Sequence, residues 1–186
     1  MCQDYDMKIV GEKPSSDIKK NKELYGDIAE YEREKANGNI GKSKKLGQIL
    51  AKEFVSVCQK DELTVSEDYS GNLITQKVLL LSFTVMAGLE EFCPNISVAN
   101  AARSAFFDEL NVLDKELFEK SSDTGAFSFY YLSFRRGTEV DRRVGQTFAM
   151  LCSHDGDPIY QELGEALYCW FLSIVQSRVE ETEFSR

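Results

Sequence analysis

The chain has 186 residues, 42% hydrophobic and 28% charged, with a formal net charge of -9. That length supports one domain with a sizeable core, and that composition excludes a wholly disordered chain. The negative charge argues against a general nucleic-acid binder, whose affinity comes mainly from Lys and Arg neutralising phosphates.

The charge is uneven. Residues 1–60 carry 12 Lys and Arg against 10 Asp and Glu, whereas residues 61–186 carry 10 against 21. The charged N-terminal third reads either as a solvated surface or as an arm that docks on the acidic body or on a partner. Residues 1–10 contain Asp4, Asp6 and Lys8, so no secretory apolar region is expected, and Cys2 stands where myristoylation needs Gly. The five cysteines (Cys2, Cys58, Cys93, Cys152 and Cys169) form no C-x-x-C pair. Reduced thiols in a cytoplasmic protein are expected.

In chain order, residues 1–15 read as an irregular arm. A first helix starts with Ser15 or Ser16 as N-cap and stops at Asn37 and Gly38. Its apolar stripe is thin: Ile18, Leu24, Tyr25, Ile28 and Tyr31. A second helix over 42–60 places Leu46, Ile49, Leu50, Phe54, Val57 and Cys58 on one face. Residues 61–71 form a polar connection in which Leu63, Thr64 and Val65 allow a short extended piece.

The third helix, over 72–92, is apolar on nearly every side from 78 to 89 and belongs in the middle of a bundle. A buried strand competes for this stretch because it is rich in β-branched residues, but its length favours helix. Its 12-residue apolar run, interrupted by Ser82 and Thr84, is short for a bilayer crossing. Pro94 ends it. Ser97 caps a fourth helix to about Lys120, and Asp123 or Thr124 caps a fifth to Arg136 that is crowded with aromatics. Thr138, with Asp141 three residues on, opens a sixth in the manner of a capping box. Asp157 followed by Pro158 opens the last. The tail after Glu180 is expected to fray.

Gly47, Gly145 and Gly164 sit inside predicted helices. An internal Gly costs about 1 kcal/mol relative to Ala, so an offsetting reason is expected. Close approach of two helix backbones is one, and a ligand seated on bare backbone is another.

Three constellations are chemically suggestive. Cys152 and His154 share a helix-to-helix loop with Asp155 and Asp157, which a thiol nucleophile and its base could use. Helix packing, a turn and a cap explain the same residues. Arg135, Arg136, Arg142 and Arg143 bracket a turn and could hold an anion, though Glu139 and Asp141 lie between them. Phe127, Tyr130, Tyr131 and Phe134 could line a groove for an apolar ligand or a partner helix, or pack in the core. With one His in the chain, multi-His metal sites are not expected.

The expected fold is all-α: an irregular single-domain bundle, about seven helices in the chain, with 39–186 as the helical bundle domain and 1–38 as an irregular arm plus a charged amphipathic helix. Leu81, Phe106, Trp170 and Phe171 are expected in its core. The expected function is a non-enzymatic interaction or regulatory module, with a protein partner or self-association. A pocket for a small apolar or anionic molecule is the alternative, and a Cys152/His154 enzyme the third reading. No cofactor, metal, nucleic acid or membrane partner is expected.

Overall fold

The computed structural model describes residues 16–60, 71–121, 124–135 and 137–185, with side chains from Gly26 onward except at Lys60 and Thr124. Among them are eight helices and no strand: α1 (Ser16–Ala36), α2 (Asn39–Lys60), α3 (Gly71–Phe92), α4 (Ile96–Leu113), α5 (Lys115–Ser121), α6 (Thr124–Phe134), α7 (Val140–Leu151) and α8 (Pro158–Glu181). The protein is an all-α bundle. The expected arm over 1–15, the extended piece at Leu63 to Val65 and the Asp123 cap lie outside the described residues.

Helix α3 is central. Asn72–Phe92 is long and apolar enough to cross a membrane by composition, with a window hydropathy of 1.4. In this fold its middle is packed inside the protein, with every side chain from 78 to 85 buried. Its two sides serve two cores. Leu81, Val85 and Leu89 join Leu46, Leu50 and Phe54 of α2, Val98 and Phe106 of α4, and Phe171 and Val175 of α8. Leu80, Phe83 and Ala87 join Tyr130 of α6, Val144 and Phe148 of α7, and Tyr168 of α8. The two buried hydroxyls on α3 find acceptors: Thr84 donates to the Leu80 carbonyl at 2.8 Å, and Ser82 reaches the Ser121 carbonyl at 3.5 Å.

The helix-embedded glycines are contact points between helices. A Cβ built on Gly47 would fall 2.2 Å from the Ala102 carbonyl oxygen, and one on Gly145 would fall 2.4 Å from that of Gln161. One on Gly164 would meet the Phe148 side chain at 2.6 Å. Thus α2 lies directly against α4, and α7 against α8. Of the two offsetting reasons, close helix approach is the one this geometry supplies.

Several expectations need correction. The fourth predicted helix is two helices, because Asp114 ends one and begins the next. Its backbone N–H donates to Leu110 and its carboxylate accepts from the Leu117 N–H at 3.0 Å. This raises the count from about seven to eight. Asn95, not Ser97, caps α4, accepting from the Val98 N–H. Ser97 instead donates to Glu30 of α1 at 2.8 Å. Glu139, at φ 49, precedes α7 with no side-chain cap, so Thr138 and Asp141 make no capping box. Asp157 caps α8 as expected. Trp170 is 46% exposed, because successive helix positions point about 100° apart and Phe171 takes the inward one.

The tail does not fray but is tied down. Asn39, fully buried, donates to the Ser185 carbonyl and accepts from the Ser185 N–H, both at 2.8 Å, and also donates to Glu34 at 2.6 Å. Lys42 reaches the Glu183 carbonyl, and Phe184 packs on the first core. The described part of α1 is therefore joined to α2, α4 and the C-terminus.

Two predictions follow from this packing. Gly47→Ala is expected to destabilise by about 1–3 kcal/mol through overpacking. Gly41→Ala, whose new methyl meets nothing within 4 Å, is expected to be neutral or to stabilise by up to about 1 kcal/mol. Urea unfolding of both variants checks the contrast. The second concerns acid. The Asn39 hydrogen bond, opposed by burial and aided by Arg33, holds the Glu34 carboxyl below its ordinary value of 4.5. A depressed folded-state pKa contributes stability above the unfolded value, and that contribution disappears as pH falls through the folded one. Glu34→Gln is expected to flatten the decline in melting temperature below about pH 4.5; a decline identical to the parent's would show that Glu34 does not contribute.

Candidate functional site

The four aromatic residues of α6 converge on one ring. The centroids of Phe127, Tyr130, Tyr131 and Phe134 lie 6.4, 5.2, 6.0 and 6.3 Å from that of Phe83. Phe83 of α3 thus occupies the space they enclose. The Tyr130 ring is wholly buried and its hydroxyl has no hydrogen-bond partner among the described residues; burial pushes the phenol pKa up. Tyr131 donates to Glu90. Phe129 and Leu132 face outward instead.

Of the four arginines bracketing the turn, the three described take partners from their own segment. Arg135 lies over the Tyr131 ring at 5.7 Å. Arg142 is 3.9 Å from Glu139, and Arg143 donates to Thr138 at 3.3 Å. Arg136 lies outside the described residues.

Cys152 and His154 turn apart. Cys152 closes α7 and packs in the second core at 5% exposure, where burial pushes its thiol up to about 12. Ser153 then adopts φ 65, and the His154 N–H donates back to the Ala149 carbonyl. His154 itself lies on the surface, stacked on Tyr160 with ring centroids 3.8 Å apart and 4.0 Å from Asp157. A thiol whose pKa is raised by burial, with the nearby imidazole held on the surface, is poorly disposed for nucleophilic attack. Among the described residues no three His, Cys, Asp or Glu side chains cluster as metal ligands.

A groove of about 690 Å³ runs between α1, α2 and α4. Its floor is the small-residue face of α4, with Ala101, Ser104 and Ala105. Ile28 and Tyr31 of α1 form one wall, and Lys44 and Gln48 of α2 form the other. Gly47 brings α2 close to α4 just behind that wall. Asp27, Asp108 and Glu109 make the rim acidic, and Val112 stands at one end at 81% exposure. None of these residues was singled out as a site from the sequence. The available signal was the spacing of 101, 104 and 105, which puts three small side chains on one strip of α4.

Compared with known proteins, the sequence matches no family model, no curated protein and no solved structure.

The burial of Cys152 has a direct chemical consequence. With iodoacetamide at pH 8 and native protein, exposed Cys169 is expected to label while Cys152 stays protected until unfolding. His154→Ala is expected to leave the Cys152 rate unchanged. Cys152 labelling with a midpoint well below about 8.5 would restore the nucleophile reading.

Proposed function

We propose that this protein is a non-enzymatic interaction module that receives an amphipathic helix of a partner protein in the groove between α1, α2 and α4. The observation that carries this reading is apolar wall and end residues, Ile28, Tyr31 and Val112, left exposed around a floor of small side chains. Recognition of a helix in a groove rests on this combination, in which anchors at i, i+4 and i+7 enter between apolar walls. The face of α4 from Ser97 to Val112 runs roughly 22 Å at 1.5 Å per residue, about four helical turns.

Charge narrows the partner. Asp27, Asp108 and Glu109 line the groove with Lys44, and Glu109 pairs with Lys52 of α2 at 3.8 Å; the balance stays negative by one, so a helix with Lys or Arg flanking its apolar anchors fits better than an acidic one. The volume also falls within the ~300–1,000 Å³ of ligand pockets, which supports a small apolar molecule as the second reading. The acidic rim disfavours an anionic one.

The test uses displayed helical peptides of about five turns, with randomised apolar anchors and either Lys or Glu flanks. Binding is read by fluorescence anisotropy. Lys-flanked peptides are expected to bind at least about tenfold tighter than Glu-flanked ones, and more weakly as salt rises. Ala101→Trp, which fills the floor, is expected to abolish binding without changing the circular dichroism. Peptides that bind Ala101→Trp as tightly as the parent would place recognition elsewhere.

A further inference from the structure

Helix α1 is attached to the bundle by polar groups near one end. From Gly26 to Ala36 its one buried side chain is the carboxylate of Glu34, at 5% exposure. Ile28 and Tyr31 are exposed, and no described side chain of α1 joins either core. A helix on a bundle ordinarily packs through an apolar stripe. Here two carboxylates take its place. Glu34 accepts from Asn39 of α2 at 2.6 Å, and Asn95, the cap of α4, also bonds it. Glu30, one turn earlier, accepts from Ser97 of α4 at 2.8 Å.

The Glu34 clamp depends on the far end of the chain. The Asn39 side chain is wholly buried, and its bonds use both ends of the carboxamide. Its nitrogen donates to Glu34 and to the Ser185 carbonyl, and its oxygen accepts the Ser185 N–H. The two Ser185 bonds fix which way the carboxamide faces, and so aim its other N–H at Glu34. Without them the buried carboxamide has a donor and an acceptor unmatched, and it turns or admits water to satisfy them. Lys42 and Phe184 seat the tail, through the Glu183 carbonyl at 2.7 Å and through the first core. Helix α1 meets α2 at Asn37 and Gly38, where Gly38 has φ 79 and open space beside its Cα. At 1.5 Å per residue Glu34 lies roughly 6 Å along the helix from Gly38, whereas Tyr31 and Ile28 of the groove wall lie roughly 10 and 15 Å from it. A small rotation at the clamp is therefore amplified at the wall.

We infer that α1 is a hinged wall of the groove, pivoting at Gly38, and that residues 183–185 are the latch that holds it closed. With the tail seated, Asn39 grips Glu34, and Ile28 and Tyr31 stand beside the small-residue face of α4. With the tail displaced, that grip is lost. The contacts left to α1, Asn95 at Glu34 and Ser97 at half-buried Glu30, then face competition from water, and the wall swings away from α4. Seating of the tail thus sets how much of the groove exists. That the groove receives a partner helix rests on the reading above; the coupling of tail to wall does not.

Amide hydrogen exchange of the full chain, resolved by residue, is the test. Ser185→Pro removes the N–H that Asn39 accepts and leaves the chain complete. Deletion of residues 183–186 removes the latch by a second route. Both are expected to speed exchange of the α1 amides from 27 to 36 at least about tenfold, because a helix released from its packing is marginal in water. Amides of α3 and α7 are expected to keep nearly the parent's rates. Coupling of this kind is reciprocal, so Glu34→Ala is expected to speed exchange at the Ser185 amide. Unchanged α1 rates in both tail variants overturn the inference. So does a rise shared equally by α3 and α7, which marks general destabilisation, and so does a Ser185 amide indifferent to Glu34→Ala. Helical peptides that fail to bind while α1 still responds to the tail would count against the groove reading and leave the latch standing.

Discussion

Helix α3 has no polar face, and the arrangement of the other helices answers that constraint. From 78 to 89 every side chain is buried or half-buried. Burying a Val, Leu or Phe side chain is worth roughly 1.5–3 kcal/mol, so leaving either side of this helix in water would forfeit many such contributions. One layer of helices covers one side. The bundle therefore has two cores with α3 as their common wall, α2 and α4 closing the first and α6 and α7 the second. Helix α8 reaches both, through Phe171 and Val175 on one side and Tyr168 on the other.

Close approach makes the two cores dense. Gly47 lets α2 lie on the α4 backbone, where Phe54 meets Phe106 edge-on at 5.5 Å. Gly145 and Gly164 do the same for α7 and α8 around Phe148. The helix propensity lost at each glycine is offset by dispersion contacts that a methyl would block. At the end of the first core, Asn39 joins helix α1, helix α2 and the chain end through hydrogen bonds made away from water. Such bonds are costly to leave unmade, so this corner fixes the placement of otherwise polar segments.

The same packing separates the structural residues from those available to partners. Aromatic residues that looked like a ligand cage from their sequence run are filled by Phe83, which comes from another helix. Cys152 belongs to the second core and His154 to the surface. Apolar surface that remains outward includes the groove beside α1, the outer side of α8, and Phe129 and Leu132 of α6. These are helical faces, the kind of surface on which the proposed helix-in-groove recognition rests.

Sequence alone determined where most helices run, because their signals are local. Apolar spacing over 42–60, the stop at Asn37 and Gly38, and the Asp157-Pro158 start all act within a turn or two of the residues concerned. It also marked α3 as central, since a helix without a polar face has nowhere else to go. Tertiary structure alone decided between neighbours with equal local claims. Asn95 outcompeted Ser97 as a cap because Glu30 of α1 engages the Ser97 hydroxyl. Phe171 took the inward position next to Phe54, and Trp170 was left outside. The polar tail was ordered by Asn39, 146 positions away. The groove shares this origin: its walls and floor come from three helices, and the distance between helices is set by side chains remote in sequence, which no periodicity within one helix records.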